Sequence, residues 1–260
     1  MSLTYSTYLN LDQLLELQLV RSDPPEHDEL LFIVIHQVYE LWFKVVLHET
    51  DKVKRDLSAN DLFGAIATFK RIRTIMKTLV GQLDILETMT PMSFTAFRDR
   101  LETASGFQSV QYRELEFALG YRRPKMLDAF QDGSAERARL AGRLAERSVV
   151  DHFYDFLEHQ GVQTPADIRS RDLTTSNGPN ETVQAGILRL YRERPDLAIL
   201  FELMTDLDEG IQEWRYRHVK LAERSIGQKR GTGGSTGVEF LKQSLFRPVF
   251  HDLWEVRAKL

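Results

Sequence analysis

The chain has 260 residues, of which 42% are hydrophobic, so it can build a sizeable core in one large domain. Its 34 basic and 38 acidic residues are interspersed and give a formal net charge of −4, which argues against a nucleic-acid partner. The absence of cysteine excludes disulfides, thiolate nucleophiles, zinc ribbons and iron–sulfur clusters, and it is compatible with a reducing cytoplasm.

Apolar residues recur at spacings of three and four rather than two, which predicts an all-α protein. Prolines concentrate at the expected helix boundaries, and Ser58, three residues before Asp61, is interpreted as a helix start signal. The longest helices are typical of a bundle, and no internal repeat or domain boundary is evident. The predicted helices span 10–20, 27–56, 59–87, 91–102, 107–119, 124–131, 134–146, 148–160, 180–193, 195–226 and 236–246.

The N-terminal segment, MSLTYSTYLNLDQLLELQLV, carries neither an export signal nor a membrane anchor. It lacks a basic leader followed by an apolar run, and no stretch approaches the roughly 18 uncharged apolar residues of a spanning helix. The longest apolar stretch, Leu30 to Ile35, ends at His36. We therefore expect a soluble, cytoplasmic protein without a membrane partner.

The helix predicted over 27–56 carries a histidine inside an apolar stripe. His36 shares this stripe with Phe32, Tyr39 and Phe43. An inward histidine can be a core residue whose nitrogens are satisfied, or it can serve a metal or haem centre. Both interpretations stay open for His36 alone.

The stretch TPMSFTAFRDRL begins a helix that combines an arginine with apolar neighbours. Thr90 places a capping hydroxyl before Pro91 at the first helical position. One face then holds Phe94, Arg98 and Leu101. The arginine can be solvated or ion-paired, or it can be the fixed fork of an apolar pocket that binds a small carboxylate ligand.

A second inward histidine lies in GIQEWRYRHVKLAERSI, where Ile211, Trp214, His218 and Leu221 share one helical stripe. By itself, this pattern favours a core histidine whose nitrogens are satisfied over a metal or haem ligand. Two inward histidines on two long helices, His36 and His218, favour the second interpretation. The remaining histidines have structural interpretations and are not assigned to a site: His27, His48, His152, His159 and His251.

Several catalytic classes are excluded because their motifs are missing from the sequence. No glutamate is followed by a histidine three residues later, which excludes di-iron carboxylate bundles. The zincin motif His-Glu-x-x-His is also missing. A nucleophile elbow of serine hydrolases is not expected either, because the G-x-S-x-G match at residues 233–237 follows a predicted helix and not a strand.

Residues 229–237, KRGTGGSTG, hold four glycines directly after a predicted helix. The spacing does not fit a P-loop, because Lys229 precedes the glycines, and a dinucleotide fingerprint would follow a strand. A phosphate cradle is therefore not expected. The glycines leave a flexible linker or a loop with close backbone approach as the alternatives.

With these residues identified, the sequence closely resembles the tryptophan 2,3-dioxygenase family along nearly its whole length. The resemblance is carried, in family order, by the segments YSTYLNLDQLL, HDELLFIVIHQVYELWFK, LETMTPMSFTAFRDRLETASGFQSVQYR, WRYRHVKLAERSIG and KRGTGGSTGVEFL. It implies one all-α, helical-bundle domain over 1–260 with a haem pocket of the indoleamine/tryptophan dioxygenase type. The implied cofactor is haem b, with O₂ as co-substrate.

The resemblance also implies roles for the two histidines and for the aromatic residues. His218 matches the proximal ligand of the haem iron, and His36 matches the distal, catalytic histidine that faces the substrate's indole N–H. Phe32 and Phe94 match the aromatic walls around the indole, with Leu101 beside them. These roles follow from the matched motifs, not from the helical spacing.

For the polar end of the substrate, Arg98 matches the arginine that binds the carboxylate, and Thr232 matches a threonine that meets the ammonium and carboxylate. The glycine-rich run then resembles a mobile loop that folds over the bound amino acid. Tyr5, Tyr8 and Leu9 match an N-terminal arm, about residues 1–12, that enters a neighbouring subunit's active site. A homotetramer is therefore implied.

The main hypothesis is that L-tryptophan is opened by O₂ at the indole C2–C3 bond to N-formylkynurenine, the first step of tryptophan catabolism through kynurenine. The segment 26–29 (EHDE), Gln228 and Thr236 depart from the usual family pattern and leave the reaction outcome open. One alternative is a monooxygenase that forms a 2-oxindole from a substituted, for example methylated, tryptophan. Another is a haem or indole sensor without catalysis.

Overall fold

The computed structural model describes residues 2–260, and within this range every regular element is helical, which confirms the all-α prediction. Short 3₁₀ turns cover Asp99–Leu101, Gly106–Gln108, Pro124–Ala129 and Val256–Lys259. The α-helices, α1 to α13 in chain order, are Tyr5–Leu9, Leu11–Leu14, His27–Ser58, Leu62–Leu86, Pro91–Arg98, Val110–Leu119, Ala135–Ala145, Val149–His159, Ala166–Arg169, Glu181–Glu193, Pro195–Ile226, Val238–Lys242 and His251–Glu255.

Three long helices, α3, α4 and α11, form the centre of the bundle, and α6 and α8 also pack against α3. Their apolar faces are removed from solvent, with Val46, Phe69, Leu79 and Phe201 fully buried. Each such side chain contributes roughly 1.5–3 kcal/mol of hydrophobic free energy on burial. Because the two predicted site histidines lie on α3 and α11, this packing fixes the distance between them.

Helix α3 is also long and apolar enough, by length and composition, to cross a membrane. A core helix of a bundle passes the same test. In this fold, α3 packs against α4, α6 and α8, and Val46, Val53 and Leu57 of α3 are fully buried inside the protein.

The helix predicted over 10–20 is wrong. Asn10 adopts a left-handed conformation with φ of 52° and separates two short helices, α1 and α2. Neither has a buried residue, so no packed apolar face supports a longer helix. The chain that follows is held instead by the carboxylate of Glu29, which accepts the backbone N–H groups of Arg21 and Ser22 at 2.7 and 2.9 Å.

Two predicted helix starts had different outcomes. Thr90 caps α5 as expected, because its hydroxyl accepts the N–H of Ser93 at 3.1 Å. Ser58 is not a cap, since α3 runs through it. Asp61 caps α4 instead and accepts the N–H of Gly64 at 2.9 Å.

Helix α5 ends at Arg98 and tightens into the 3₁₀ turn Asp99–Leu101, so the helical segment ends one residue before the predicted end at 102. Glu102, with φ of 50°, stops it. The last predicted helix, 236–246, shrinks to α12 and is followed by Phe246 with φ of 55°. The sequence missed α9 and α13, each of only four or five residues, which are too short to show a helical period.

Candidate active site

One cavity of about 290 Å³ lies between α3, α5, α6 and α11 and is closed on one side by the glycine-rich loop 229–237 and α12. Seven residues that the sequence proposed as site residues line it: Phe32, His36, Phe94, Arg98, Leu101, His218 and Thr232. They come from segments up to 200 positions apart in the chain. The fold therefore brings together, around one space, residues that the sequence identified separately.

His36 presents a neutral imidazole to the cavity. Its Nδ1 lies 2.7 Å from the carbonyl oxygen of Phe32, and a carbonyl can only accept, so Nδ1 carries the proton and Nε2 is left as an acceptor. Burial lowers the pKa of His36 below its ordinary value, against the opposing effects of the Phe32 hydrogen bond and the Glu40 charge. The side chain is therefore suited to accept a hydrogen bond from a bound ligand.

An aromatic wall stands beside His36. The ring of Phe32 lies 4.1 Å from the His36 ring and 5.6 Å from Phe94, measured between centroids. Phe97, which the sequence analysis did not mark, packs behind both at 5.5 Å and is fully buried. Its position three residues after Phe94 on α5 was the available signal. The wall favours a flat apolar ring in the space in front of it.

His218 lies on α11 and lines the same cavity as His36. Its ring stacks on that of Trp214, with centroids 5.0 Å apart and planes 28° apart. Burial, followed by the charges of His36 and Arg113, lowers the pKa of His218 to about 4, and no group among residues 2–260 forms a hydrogen bond with its nitrogens. A neutral imidazole with unengaged nitrogens in an apolar cavity is the donor that haem iron takes as an axial ligand, so the residues present fit this group.

Arg98 stands at the end of the cavity that the glycine-rich loop covers. Its Nη2 donates to the carbonyl oxygen of Arg230 at 2.8 Å, and it pairs with no acidic side chain within residues 2–260. Thr232 donates its hydroxyl to the carbonyl oxygen of Ala104. The ion-paired interpretation of Arg98 is therefore not supported, and its remaining donors are available to a ligand carboxylate.

The loop packs so closely that glycine is required at defined positions. Gly237 has φ of 66°, and a Cβ there would stand 2.5 Å from the backbone oxygen of Lys229. A Cβ on Gly233 would stand 2.7 Å from the Cβ of Ser105 on the facing segment. The glycines thus allow the loop to close on itself and on residues 103–105.

The cavity wall beside α12 holds charged residues that the sequence did not indicate. Arg113, Glu116, Arg123 and Arg215 line it, and Glu116 is buried among the three guanidinium groups. Their charges keep the pKa of Glu116 below its ordinary value although burial alone would raise it. Charged residues are usually solvated, so no local pattern indicated that these four are inside.

Tyr5, Tyr8 and Leu9 do not reach the cavity of their own chain. They lie on α1, where Tyr5 and Tyr8 are 76% and 70% exposed. The short helix is nevertheless ordered by a cap, since Thr4 and Thr7 exchange hydrogen bonds at its start. Within residues 2–260, no cluster of three or more histidine and acidic residues could hold a bare metal ion.

Comparison with known proteins places this geometry in context. A family model described as tryptophan 2,3-dioxygenase matches residues 1–169 and 180–260. The tryptophan 2,3-dioxygenase of Herpetosiphon aurantiacus is 51% identical over 259 residues, which cover 100% of this chain and 99% of that protein. The tryptophan 2,3-dioxygenase of Anaeromyxobacter sp. (strain K) is 50% identical, and the match covers 100% of this chain and 97% of that protein. The tryptophan 2,3-dioxygenase of Kineococcus radiotolerans is 41% identical, and the match covers 99% of this chain and 91% of that protein.

Proposed function

The chain belongs to the tryptophan 2,3-dioxygenase family, and from this premise we propose that it opens the C2–C3 bond of L-tryptophan with O₂ to give N-formylkynurenine. The observation that carries the proposal is the single cavity in which two neutral histidines, an aromatic wall and an unpaired arginine meet. The oxindole-forming and sensor alternatives are not favoured, because the similar full-length proteins are tryptophan 2,3-dioxygenases.

We propose that His218 holds haem b through its iron. The support is the free, neutral imidazole of His218, whose ring is kept in place by the stacked Trp214. When bound, haem iron supplies the activation of O₂ that protein side chains cannot supply. The protein would contribute His218 as a ligand of the iron, a water-poor cavity and the orientation of the substrate.

We propose that the amino acid binds with its indole against Phe32, Phe94 and Leu101 and its polar end at the loop. Arg98 donates to the substrate carboxylate as a planar fork, and Thr232 contacts the carboxylate and ammonium groups. Both side chains now donate to neutral backbone carbonyls, those of Arg230 and Ala104, so a ligand can replace a neutral acceptor by a charged one. Charge-assisted hydrogen bonds of this kind are worth about 1.5–3 kcal/mol each.

His36 is proposed to accept a hydrogen bond from the indole N–H through Nε2. The Nδ1–H bond to Phe32 fixes the ring and the tautomer, so the acceptor is in place before the substrate arrives. Indole N–H is a very weak acid, and His36 therefore need not remove the proton; its role is to orient the ring.

We propose that the chain is a single domain over 1–260 whose residues 1–12 form an arm in a homotetramer. Tyr5, Tyr8 and Leu9 are exposed apolar groups on a capped helix, and a neighbouring subunit's cavity would cover them. We also propose that the enzyme works in the cytoplasm, in line with its lack of cysteine.

The haem proposal is tested by absorption spectroscopy of His218→Ala beside His159→Ala, a control histidine at the end of α8. We expect wild type and His159→Ala to bind haem with a Soret band and His218→Ala to lose it or bind far more weakly while staying helical. An unchanged ferrous haem spectrum in His218→Ala would refute His218 as the ligand.

A further inference from the structure

The cavity is also lined by an arginine cluster, which we define as Arg113, Arg123, Arg215 and the carboxylate of Glu116 between them. Arg113 and Arg123 donate to one oxygen of Glu116 at 2.6 and 2.5 Å, and Arg215 approaches the other at 3.4 Å. Arg113, Glu116 and Arg215 are buried, and all four residues line the cavity. The cluster therefore borders the same space as the two site histidines.

The charges of the cluster do not balance. Three guanidinium groups share one carboxylate, which leaves two positive charges in a buried site. The other carboxylate that lines the cavity, Glu40, accepts from Ser109 and Gln111 instead. An uncompensated buried charge is costly, so the arrangement indicates a ligand with negative charge.

The cluster also has unused hydrogen-bond donors. The Nε–H groups of Arg113, Arg123 and Arg215 are buried and have no hydrogen-bond partner in the described part of the chain. Arg215 donates from Nη1 to the carbonyl oxygens of Ser244 and Arg247, whereas Arg113 donates only to Glu116. Arg123 likewise donates only to Glu116, so most of the free donors of the cluster belong to Arg113 and Arg123, and Arg113 is the more buried of the two.

Arg113 is also fixed in orientation before any ligand binds. Its guanidinium carbon lies 5.1 Å from the ring centroid of Tyr112 and 5.7 Å from that of Phe107. A guanidinium held between rings loses little side-chain entropy when it receives a carboxylate.

We propose that the arginine cluster, through Arg113, binds the propionate carboxylates of the porphyrin. Two carboxylates match the two unbalanced charges, and they belong to a molecule whose iron reaches His218 in the same cavity. The inference deepens the proposed function and rests on it. It gives Arg113 a role separate from Arg98, which is left for the carboxylate of the amino acid.

The first test needs no variant. Wild-type protein is reconstituted with protohaem or with protohaem dimethyl ester, which keeps the iron and the ring but lacks both negative charges. Excess apomyoglobin then captures released porphyrin, and the rate at which the Soret band shifts to that of the myoglobin complex gives the dissociation rate. We expect the ester to leave at least tenfold faster than protohaem.

The second test compares Arg113→Gln with Arg122→Gln. Arg122 is matched in burial, 5% exposed against 4% for Arg113, but it donates to the carbonyl oxygens of residues 143, 144 and 146, away from the cavity. We expect Arg113→Gln to release protohaem at least tenfold faster than wild type and to lose most of the preference over the ester. Arg122→Gln should keep that preference even if it lowers the free energy of unfolding.

The outcomes separate the two proposals. A wild-type protein that binds both porphyrins through His218 but holds them equally would overturn the propionate site and leave the proposed function intact, as would an unchanged preference in Arg113→Gln. Inorganic phosphate serves as a small anionic probe of the cluster. If it bound to the cluster equally well in haem-loaded and haem-free protein, the propionates would not occupy the cluster, and the proposal would be overturned as well. Failure of both porphyrins to give a His218-dependent Soret band would overturn the proposed function and this inference together.

Discussion

His36 shows how one backbone contact sets the chemistry of a side chain. The Phe32 carbonyl fixes the proton on Nδ1, and burial keeps the pKa of the ring below its ordinary value of 6.5. The lowered pKa means that the His36 ring stays neutral in the folded protein at pH values where a free histidine is charged. The acceptor at Nε2 therefore persists into mildly acidic solution.

We therefore expect kcat/KM for tryptophan to stay flat from pH 8 to pH 6.5 and to fall only below that value. The measurement is a pH profile of wild type beside His36→Asn, which lacks the titrating ring. An inflection above pH 6.5 that disappears in His36→Asn would contradict the neutral, buried histidine.

Arg98 belongs to the same scale. Lysine keeps the charge but not the planar fork, so Arg98→Lys should raise KM for tryptophan by about tenfold or more, since each ~1.4 kcal/mol is a factor of ten. Wild type should use tryptamine, which lacks the carboxylate, only poorly. Arg100→Lys, two residues on and exposed, is the matched control. Equal turnover of tryptamine and tryptophan would show that Arg98 does not bind the carboxylate.

At the scale of elements, the glycine-rich loop 229–237 links the two groups proposed for the polar end of the substrate. Arg98 donates to the carbonyl of Arg230, and Thr232 donates to the carbonyl of Ala104, so loop and substrate site are built from the same contacts. To close, the loop must bring the backbone at residue 237 against the carbonyl oxygen of Lys229, and only a glycine at 237 leaves room for this approach.

This requirement predicts different effects of two alanines. Gly237→Ala places a Cβ against the Lys229 carbonyl, whereas Gly234→Ala has a similar positive φ, 81°, with no atom within 4 Å. Both pay the strain of a left-handed alanine, roughly 1–2 kcal/mol, but only Gly237→Ala also clashes. We expect KM for tryptophan to rise about tenfold more in Gly237→Ala. The same KM in both variants would mean that closure of the loop does not limit binding.

Helices also show what the sequence could and could not predict. The stripes on α3, α5 and α11 identified the cavity residues because a period of 3.6 decides which side chains share a face. The arginine cluster was missed because Glu116 and Arg215 are 99 positions apart, and only tertiary packing buries them together. The helix predicted over 10–20 is wrong because its apolar residues are not buried: neither α1 nor α2 has a buried residue, so no packing supports one longer helix.

At the scale of the molecule, the N-terminal arm exposes the apolar side chains of Tyr5, Tyr8 and Leu9, and no other part of the described chain covers them. Deleting residues 2–9 should weaken tryptophan binding and lower the oligomer mass, measured by titration and by light scattering after size exclusion. Phe246→Ser removes another highly exposed apolar side chain, 85% exposed, from a different surface and should change neither. A truncated monomer with full activity would refute the swapped-arm proposal.

The central claim is that this cavity inserts both atoms of O₂ into unsubstituted L-tryptophan. The most direct measurement is the mass of the product formed under ¹⁸O₂ by the reduced, haem-loaded enzyme without added peroxide. The account predicts a single ring-opened product that carries two ¹⁸O atoms and the absorption of a formylkynurenine. A product heavier by one oxygen with its indole ring still closed, or activity only on methylated tryptophan, would contradict it.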